Sequence, residues 1–554
     1  MKKRLTLVSG LLVVAVSLSA QTVYDGAKLT DRDLNGTARF VGMGGAMGAL
    51  GGDISTIGTN PAGIGVYRSN DFMTSFGFSS YGAESKYLGS TMNSDKFRGS
   101  FDNIGFVFAS KIGNQTPLRY VNFGFNYHKA KSFYKNTEMG GNLGNYSQTF
   151  AMAQQADGID EWGENPFNDN NVGWLSAVGY KGYLITDLIS QSALNDILKD
   201  NPQFDNYKPY MKDNQQVVNY KGELMYRTPG EYTGMYNGAD AHFRSQERGG
   251  IDQYDFNVSF NINDRVYLGL TIGAYAVDYS KYTYYSEDYG LNEGYNLQGW
   301  NKVNGSGFDV KFGAIIRPFE YSPFRIGLAV HTPTFYNLDY KTSVYLESDV
   351  LNAETGKIDQ WSVDSRDYLA DGGDLVQQFR LQTPWVFNGS LGYTVGKNLA
   401  LGAEYEYKDY SAMKFRDPEG YTEPYSWVNS TTPMLKGVHT VRLGAEYKVI
   451  PEFAIRAGYN YSTAAFRSDA YKDLPLNSIQ TDTDYANSKA LSNYTLGIGY
   501  RGSMFYADLA YKFSTYKEDF YPFVNIDDSG IYPPNVTTVT NTRSQVLFTL
   551  GLRF

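Results

Sequence analysis

The residues that could do chemistry in this chain are scattered. Four histidines, His128, His242, His331 and His439, stand far apart, and no two have the spacing of a metal-ligand pair. No cysteine occurs in the 554 residues, which excludes Fe–S clusters, thiolate zinc and a disulfide framework. A single histidine would suffice as a haem axial ligand, but no second feature supports haem. The acidic stretch from Asp157 to Asn171 and the pair Asp527-Asp528 offer carboxylates to a divalent cation, yet solvated loops account for them equally well. A hydrolytic Ser/His or Asp/His set cannot be assembled. The expectation is a protein that is not an enzyme and has no cofactor and no metal.

The elements that carry these residues alternate with period two. Phe256, Val258, Phe260 and Ile262 alternate with Asp255, Asn257, Ser259 and Asn261, and Leu399, Leu401, Ala403 and Tyr405 oppose Gly402, Glu404 and Glu406. Successive side chains of a strand point to opposite faces, so each segment has one apolar and one polar or small face. A sandwich with its apolar faces turned inward would alternate in the same way. The rhythm of the connections separates the two. Fourteen strands are predicted between residues 72 and 554, joined by short links such as Asn263-Asp264 and Gly396-Lys397 and by long ones such as 285–303, 349–373 and 413–436. Short turns at one end and long loops at the other are the signature of an up-and-down transmembrane barrel with an even strand count. The composition agrees: 58 Gly, 48 Tyr and 33 Phe suit a curved sheet with an aromatic girdle. The fold expected is an all-β, 14-stranded antiparallel transmembrane β-barrel with a few short helices in its extracellular loops. Polar positions such as Glu404, Glu406, Arg442, Glu446 and Lys448 then fall to a lumenal network.

Lys2, Lys3 and Arg4 before the apolar run Leu5–Leu18, with Ser19-Ala20-Gln21 after it, read as a signal peptide over residues 1–20. The apolar run is short for a span of ~20 residues. The mean hydropathy of −0.41 is that of a soluble protein or of a barrel whose dyad pattern averages out. The closing strand, with Val546, Phe548, Leu550 and Leu552 on one face, ends in register on Phe554, read as an outer-membrane targeting mark. Export places the barrel in the outer membrane with both termini periplasmic. Outer-membrane lipid and the barrel-assembly machinery are expected partners, other outer-membrane proteins are conceivable ones, and a net charge of −9 argues against nucleic acid.

Residues 21–70 precede the barrel (71–554) and do not alternate. They carry a glycine run through Gly42, Gly44 and Gly45, then Asn60, Pro61, Ala62 and Gly63. The run lacks GxGxxG spacing and a βαβ context, so it is no nucleotide loop. A small-residue plug packed within the lumen is the reading the residues favour. Ala38-Arg39-Phe40-Val41-Gly42-Met43-Gly44-Gly45-Ala46 with Asn60-Pro61-Ala62-Gly63 resembles the hatch of the FadL/TodX-type long-chain fatty-acid transporters, most of all the version found in Bacteroidetes-type bacteria. The resemblance implies a barrel with an N-terminal hatch, passive uptake of hydrophobic molecules such as fatty acids, and sideways exit through a gap in the wall near the third strand.

The long insertion at 135–251 is the candidate landing site. Leu188, Ile189, Leu194, Ile197 and Leu198 recur at helical spacing beside Trp174 and Leu175, as a helix packed on the barrel mouth or as an extracellular ligand groove. A barrel of the same family acting as a structural subunit of an outer-membrane complex is the alternative to transport.

Overall fold

The alternation closes into a ring. The computed structural model describes residues 20–527 and 530–554; residues 1–19 of the expected signal peptide and Asp528 lie outside the described residues. The strands begin with β1 (Asp71–Tyr87), β2 (Ser90–Lys111) and β3 (Leu118–Ser132, resuming as Lys135–Asn142). Next come β4 (Asp240–Ile262), β5 (Val266–Gly290), β6 (Glu293–Ile316) and β7 (Arg325–His331, resuming as Phe335–Leu351). They continue with β8 (Leu375–Gln382, resuming as Val386–Val395), β9 (Leu399–Asp409, resuming as Lys414–Arg416), β10 (Gly437–Ile450) and β11 (Phe453–Ser462). The last are β12 (Tyr485–Ser488, resuming as Leu491–Arg501), β13 (Phe505–Tyr521) and β14 (Thr537–Arg553). Neighbours in this order pair antiparallel, and β14 pairs with β1 from Arg553↔Asp71 to Thr538↔Lys86, which closes the barrel. Phe554 extends that closure, exchanging backbone hydrogen bonds with Asn70 at 3.0 and 3.1 Å.

The faces are sorted as a membrane requires. Phe76, Phe108, Phe123, Phe256, Ile272, Phe312, Leu328, Phe387, Leu443 and Leu550 are exposed on the outside. Asn103, Asn122, Asp255, Lys311, Glu404, Glu406, Arg456 and Lys512 are buried on the inside. Apolar side chains outward and polar ones inward is the inverse of a soluble sandwich and the pattern of a transmembrane barrel. Glu404, Glu406, Arg442 and Glu446 join the lumenal network as expected: Arg442 reaches Glu404 at 2.5 Å and Glu406 at 2.9 Å. Lys448 does not. It is exposed near the end of β10, two residues from the turn, where the barrel interior has already given way to solvent.

At one end the links are short, the longest being 317–324. At the other they vary more than the sequence suggested. The long connection expected at 285–303 is absent, because β5 and β6 run on to Gly290 and Glu293 and meet over Leu291-Asn292 alone. Both turn residues have positive φ, 55° and 65°, as a two-residue hairpin matched to strand twist demands. The large insertion shrinks likewise to 143–239, since β3 resumes to Asn142 and β4 starts at Asp240. It holds α1 (Gln148–Ala156), α2 (Trp174–Lys181) and α3 (Gln191–Asp200), which with neighbouring loops cover the mouth.

Two adjacent strands break at one height. Thr332-Pro333-Thr334 interrupts β7 and Thr383-Pro384-Trp385 interrupts β8, facing each other between the pairs His331↔Val386 and Phe335↔Gln382. Proline has no N–H for the ladder. Threonine hydroxyls supply substitute acceptors: Val310 N donates to Thr332 Oγ1 at 3.0 Å and Thr334 N to Thr383 Oγ1 at 2.8 Å. Thr332→Val and Thr383→Val each leave a backbone N–H unsatisfied, which costs about 1–3 kcal/mol. Each substitution is expected to lower the temperature at which the barrel loses its compact form on a heat-modifiability gel, and Thr→Ser at the same positions to restore it.

Candidate functional site: the lumenal cavity

The segment from Ala20 to Tyr67 forms no barrel strand and lies among the inward side chains. Two short helices, Val23–Thr30 and Ala38–Gly42, and two 3-10 turns, Ile54–Gly58 and Pro61–Val66, make up its ordered parts. Thr22 and Asp25 close a capping box at the first helix, with Thr22 N donating to Asp25 Oδ2 at 2.8 Å. Asn60 caps the last 3-10 turn and ties two distant points together: its Nδ2 donates to Gly48 O at 2.9 Å and to Ala314 O on β6 at 3.2 Å. Pro61 O accepts from Ser259 Oγ at 2.9 Å, Ala62 is fully buried, and Gly63 O accepts from Gly52 N at 3.1 Å. Gly42 O accepts from Thr495 Oγ1 at 3.2 Å. Gly44 and Gly45 both have positive φ, 61° and 79°. A Cβ on Gly44 would sit 2.8 Å from Tyr459 N and 2.9 Å from Leu443 O, so the chain touches the wall backbone directly. These motif residues anchor the segment and do not line the space above it.

That space is a cavity of about 480 Å³ between the segment, the strands and the covered mouth. Twelve Lys and Arg against nine Asp and Glu line it, an excess of three positive charges in a chain of net charge −9. Most are paired. Lys311 bridges Asp255 at 3.1 Å and Asp309 at 2.7 Å, and Lys28 bridges Glu247 at 3.1 Å while donating to Tyr279 Oη at 2.6 Å. Arg32 and Lys512 have no carboxylate within ion-pairing distance among the described residues. Arg32 donates to Tyr336 Oη at 2.6 Å and Lys512 to Leu34 O at 2.6 Å. Tyr24, Tyr81, Tyr275, Tyr340, Phe133 and Phe466 give the same cavity an aromatic wall. The combination suits a molecule with an apolar body and one anionic end.

The wall beside the cavity is incomplete. The β2–β3 ladder runs only from Asn103↔His128 to Lys111↔Tyr120, while Ser90–Phe101 of β2 pairs with β1 alone and Asp102 is the extra residue of a bulge. Higher up the two strands meet again, Asn136 Nδ2 donating to Asp95 O at 3.4 Å. Residues 33–35 of the N-terminal segment occupy the interval. Asp33 N donates to Ala130 O at 2.9 Å and Ser132 N to Asp33 Oδ2 at 3.1 Å. Asn35 Nδ2 donates to Asp102 Oδ1 at 2.9 Å and to Lys129 O at 3.1 Å, bridging the two strands. Asp33 is held well below the usual carboxylate range: burial opposes this, but Lys131 and Arg543 overcome it.

The mouth is shut. Trp174 and Leu175 are fully buried in α2, against Phe167 at a ring distance of 5.4 Å. Leu188 and Ile189 lie in a short strand rather than a helix, Leu194 is buried in α3, and Ile197 and Leu198 are half-buried. None of these seven lines the cavity. The residues that do, such as Arg32 and Asp33 of the N-terminal segment and Lys281 and Lys512 of separate strands, escaped sequence reasoning because charges so scattered share no motif. For Lys281 and Lys512 the one sequence signal is a charge on the inward parity of an alternating strand; Arg32 and Asp33, outside any strand, have none. His128 and His331 both line the cavity, beside Gly58 and Thr59, whereas His242 and His439 do not, and no three His, Asp or Glu side chains form a metal-binding group among the described residues.

No family model and no curated protein matches the sequence. Among solved structures, the chain is similar to a FadL homologue of Pseudomonas aeruginosa, with a TM-score of 0.47 and 13% identity over 94% of this chain and 99% of that one. It is also similar to the toluene transporter TodX of Pseudomonas putida (TM-score 0.44, 10% identity, 95% and 100% covered). For the toluene transporter TbuX of Ralstonia pickettii the values are 0.44, 12%, 94% and 99%.

One ion cluster locks the mouth. Lys281 of β5 reaches Asp482 at 2.7 Å and Asp484 at 2.8 Å in the loop between β11 and β12. Burial alone would raise the Asp482 carboxyl, but Lys281 and Lys472 hold it at about 2, below its ordinary 3.8. A depressed acid contributes stability above its unfolded value and loses it as pH falls through the folded one, so the lock holds at pH 4 and fails only towards pH 2. Lys281→Met leaves Asp484 without an ion pair and Asp482 with Lys472 alone, at 3.6 Å, a cost of about 3 kcal/mol. Faster amide exchange over residues 472–484 is the expected readout at pH 7, with the rest of the barrel unchanged.

Proposed function

We propose that the protein is a passive outer-membrane diffusion channel for hydrophobic small molecules, with amphipathic acids such as long-chain fatty acids as its substrate class. The observation that carries this reading is the interval between β2 and β3. It adjoins the cavity, and the wall there is completed by side chains of the N-terminal segment instead of by a strand. A membrane wall tolerates missing ladder bonds only where protein satisfies them. Here Asp33 and Asn35 do so, and their withdrawal opens a path from cavity to bilayer. An apolar solute that leaves sideways never has to cross the polar headgroup layer in water. Arg32 and Lys512 offer an anionic end the charge it needs, and the tyrosines accept the tail. Residues 21–70 act in this reading as the hatch, and loading from outside requires the locked mouth to loosen.

The packed mouth favours a second reading, a barrel that serves as partner subunit of an outer-membrane complex and transports nothing. Native mass spectrometry of the protein from its own membrane separates the two: co-purified fatty acid on an isolated barrel supports transport, and a stoichiometric partner without lipid supports the subunit.

The exit route has its own test. The chain contains no cysteine, so Asp95→Cys with Asn136→Cys, joined by a cleavable thiol cross-linker, ties β2 to β3. Cells expressing the linked protein are expected to take up labelled fatty acid about tenfold more slowly, with recovery on cleavage, since a lipid-facing opening needs its strands apart. Uptake that ignores the link rejects sideways exit.

A further inference from the structure

We infer that charge latches the interval between β2 and β3, and that a ligand carboxylate releases the latch by taking the cations that hold residues 33 and 34. This rests on the transport reading and adds its trigger. Each of the two residues is clamped by a cation of the cavity lining. Arg543 Nη1 donates to Asp33 Oδ2 at 2.7 Å, and Lys512 Nζ donates to Leu34 O at 2.6 Å. Asp33 Oδ2 also accepts from Ser132 N at 3.1 Å, so the same carboxylate caps β3 where its ladder to β2 is missing. A ligand carboxylate is the same chemical group as the Asp33 side chain and competes for the same N–H donors.

Neither cation is saturated. Arg543 uses one nitrogen on Asp33; its Nη2 reaches Ser79 Oγ at 3.4 Å, and its buried Nε has no hydrogen-bond partner among the described residues. Lys512 gives its charge to a neutral carbonyl, a weaker acceptor than a carboxylate. Arg98 shares a small inner pocket with Asp33, Asp102 and Arg543 and has no carboxylate within ion-pairing distance among the described residues. A negative charge arriving here meets positive charge still open to it, and a closed lumen weakens the attraction less than water does.

The exchange does not strand Asp33. Lys131 stands 3.1 Å from its Oδ1 and bridges Asp31 at 2.5 Å, so a carboxylate that turns towards Lys131 keeps an ion pair while it gives up Ser132 N. Leu34 O is freed in the same event, when Lys512 turns to the ligand. What remains to hold the segment is a set of uncharged donors: Asp33 N on Ala130 O at 2.9 Å, and the Asn35 amide on Asp102 Oδ1 at 2.9 Å and Lys129 O at 3.1 Å. A neutral ligand of the same length, such as a fatty alcohol, displaces Asp33 from neither cation and leaves the latch closed.

The test follows amide exchange at residues 33–35 and 130–132 of the full-length protein in phosphatidylcholine nanodiscs. Dodecanoate and dodecanol are the probes, and native mass spectrometry counts how much of each is retained. Dodecanoate is expected to speed exchange at these amides about tenfold, and dodecanol at equal occupancy to leave it unchanged. Asp33→Asn keeps the shape without the charge; it is expected to exchange about tenfold faster with no ligand and to ignore dodecanoate. Asp33→Glu keeps the charge and is expected to restore the response. Heat-modifiability confirms that each variant is a folded barrel, and should Asp33→Asn not fold, the comparison of acid with alcohol on the wild type decides alone. Retained dodecanoate without faster exchange, or equal acceleration by acid and alcohol, overturns the latch and leaves the transport reading standing. Retention of neither probe rejects the transport reading, and the latch with it.

Discussion

A closed barrel turns its charges inward, and each of those charges needs a partner before the lumen can exist as a dry, ordered interior. Part of that requirement is met wall to wall, as where Arg442 joins Glu404 and Glu406. The remainder is met only by the N-terminal segment. Arg39 reaches Glu446 at 2.8 Å, and Glu446 in turn holds Arg456, which holds Asp508, both at 2.6 Å. Asp33 does the same for Arg543 at 2.7 Å and Lys131 at 3.1 Å. Leaving a buried charge unpaired costs several kcal/mol, so wall and segment are energetically one structure.

That dependence explains why the wall can afford its irregularities. The β2–β3 ladder stops at Asn103↔His128 because Asp102 bulges, and backbone groups at 129, 130 and 132 then take partners from residues 33–35. The proline breaks of β7 and β8 are repaired differently, by threonine hydroxyls from the same strands. Local repair gives a fixed kink, whereas repair by a separate segment gives a place that can open.

Much of the fold was legible in the residues. Period-two alternation with Phe554 in register led to fourteen strands, and the inward set Glu404, Glu406, Arg442 and Glu446 was identified by parity alone. Lys448 shows where parity stops being informative: past the rim both faces of a strand are wet. The 285–303 connection was misread because strand continues beyond the membrane with Tyr285, Glu287, Tyr295 and Leu297 buried on one face and polar residues on the other, a mixture that looks like loop in sequence. Trp174 and Leu175 looked like an exposed groove beside a helix, but their helix is packed under neighbouring loops, and burial by distant segments leaves no trace in a local window.

The sequence by itself determined the barrel, since a dyad repeat has one economical solution when its apolar face must meet lipid and its polar face must not. It also marked out residues 21–70 as something other than strand. Only the tertiary structure decided what the inward charges do, because pairing in the lumen joins residues hundreds of positions apart, such as Asp33 with Arg543 and Arg39 with Glu446. Their partners are chosen by the radius and stagger of the closed ring, and those are properties of no single strand.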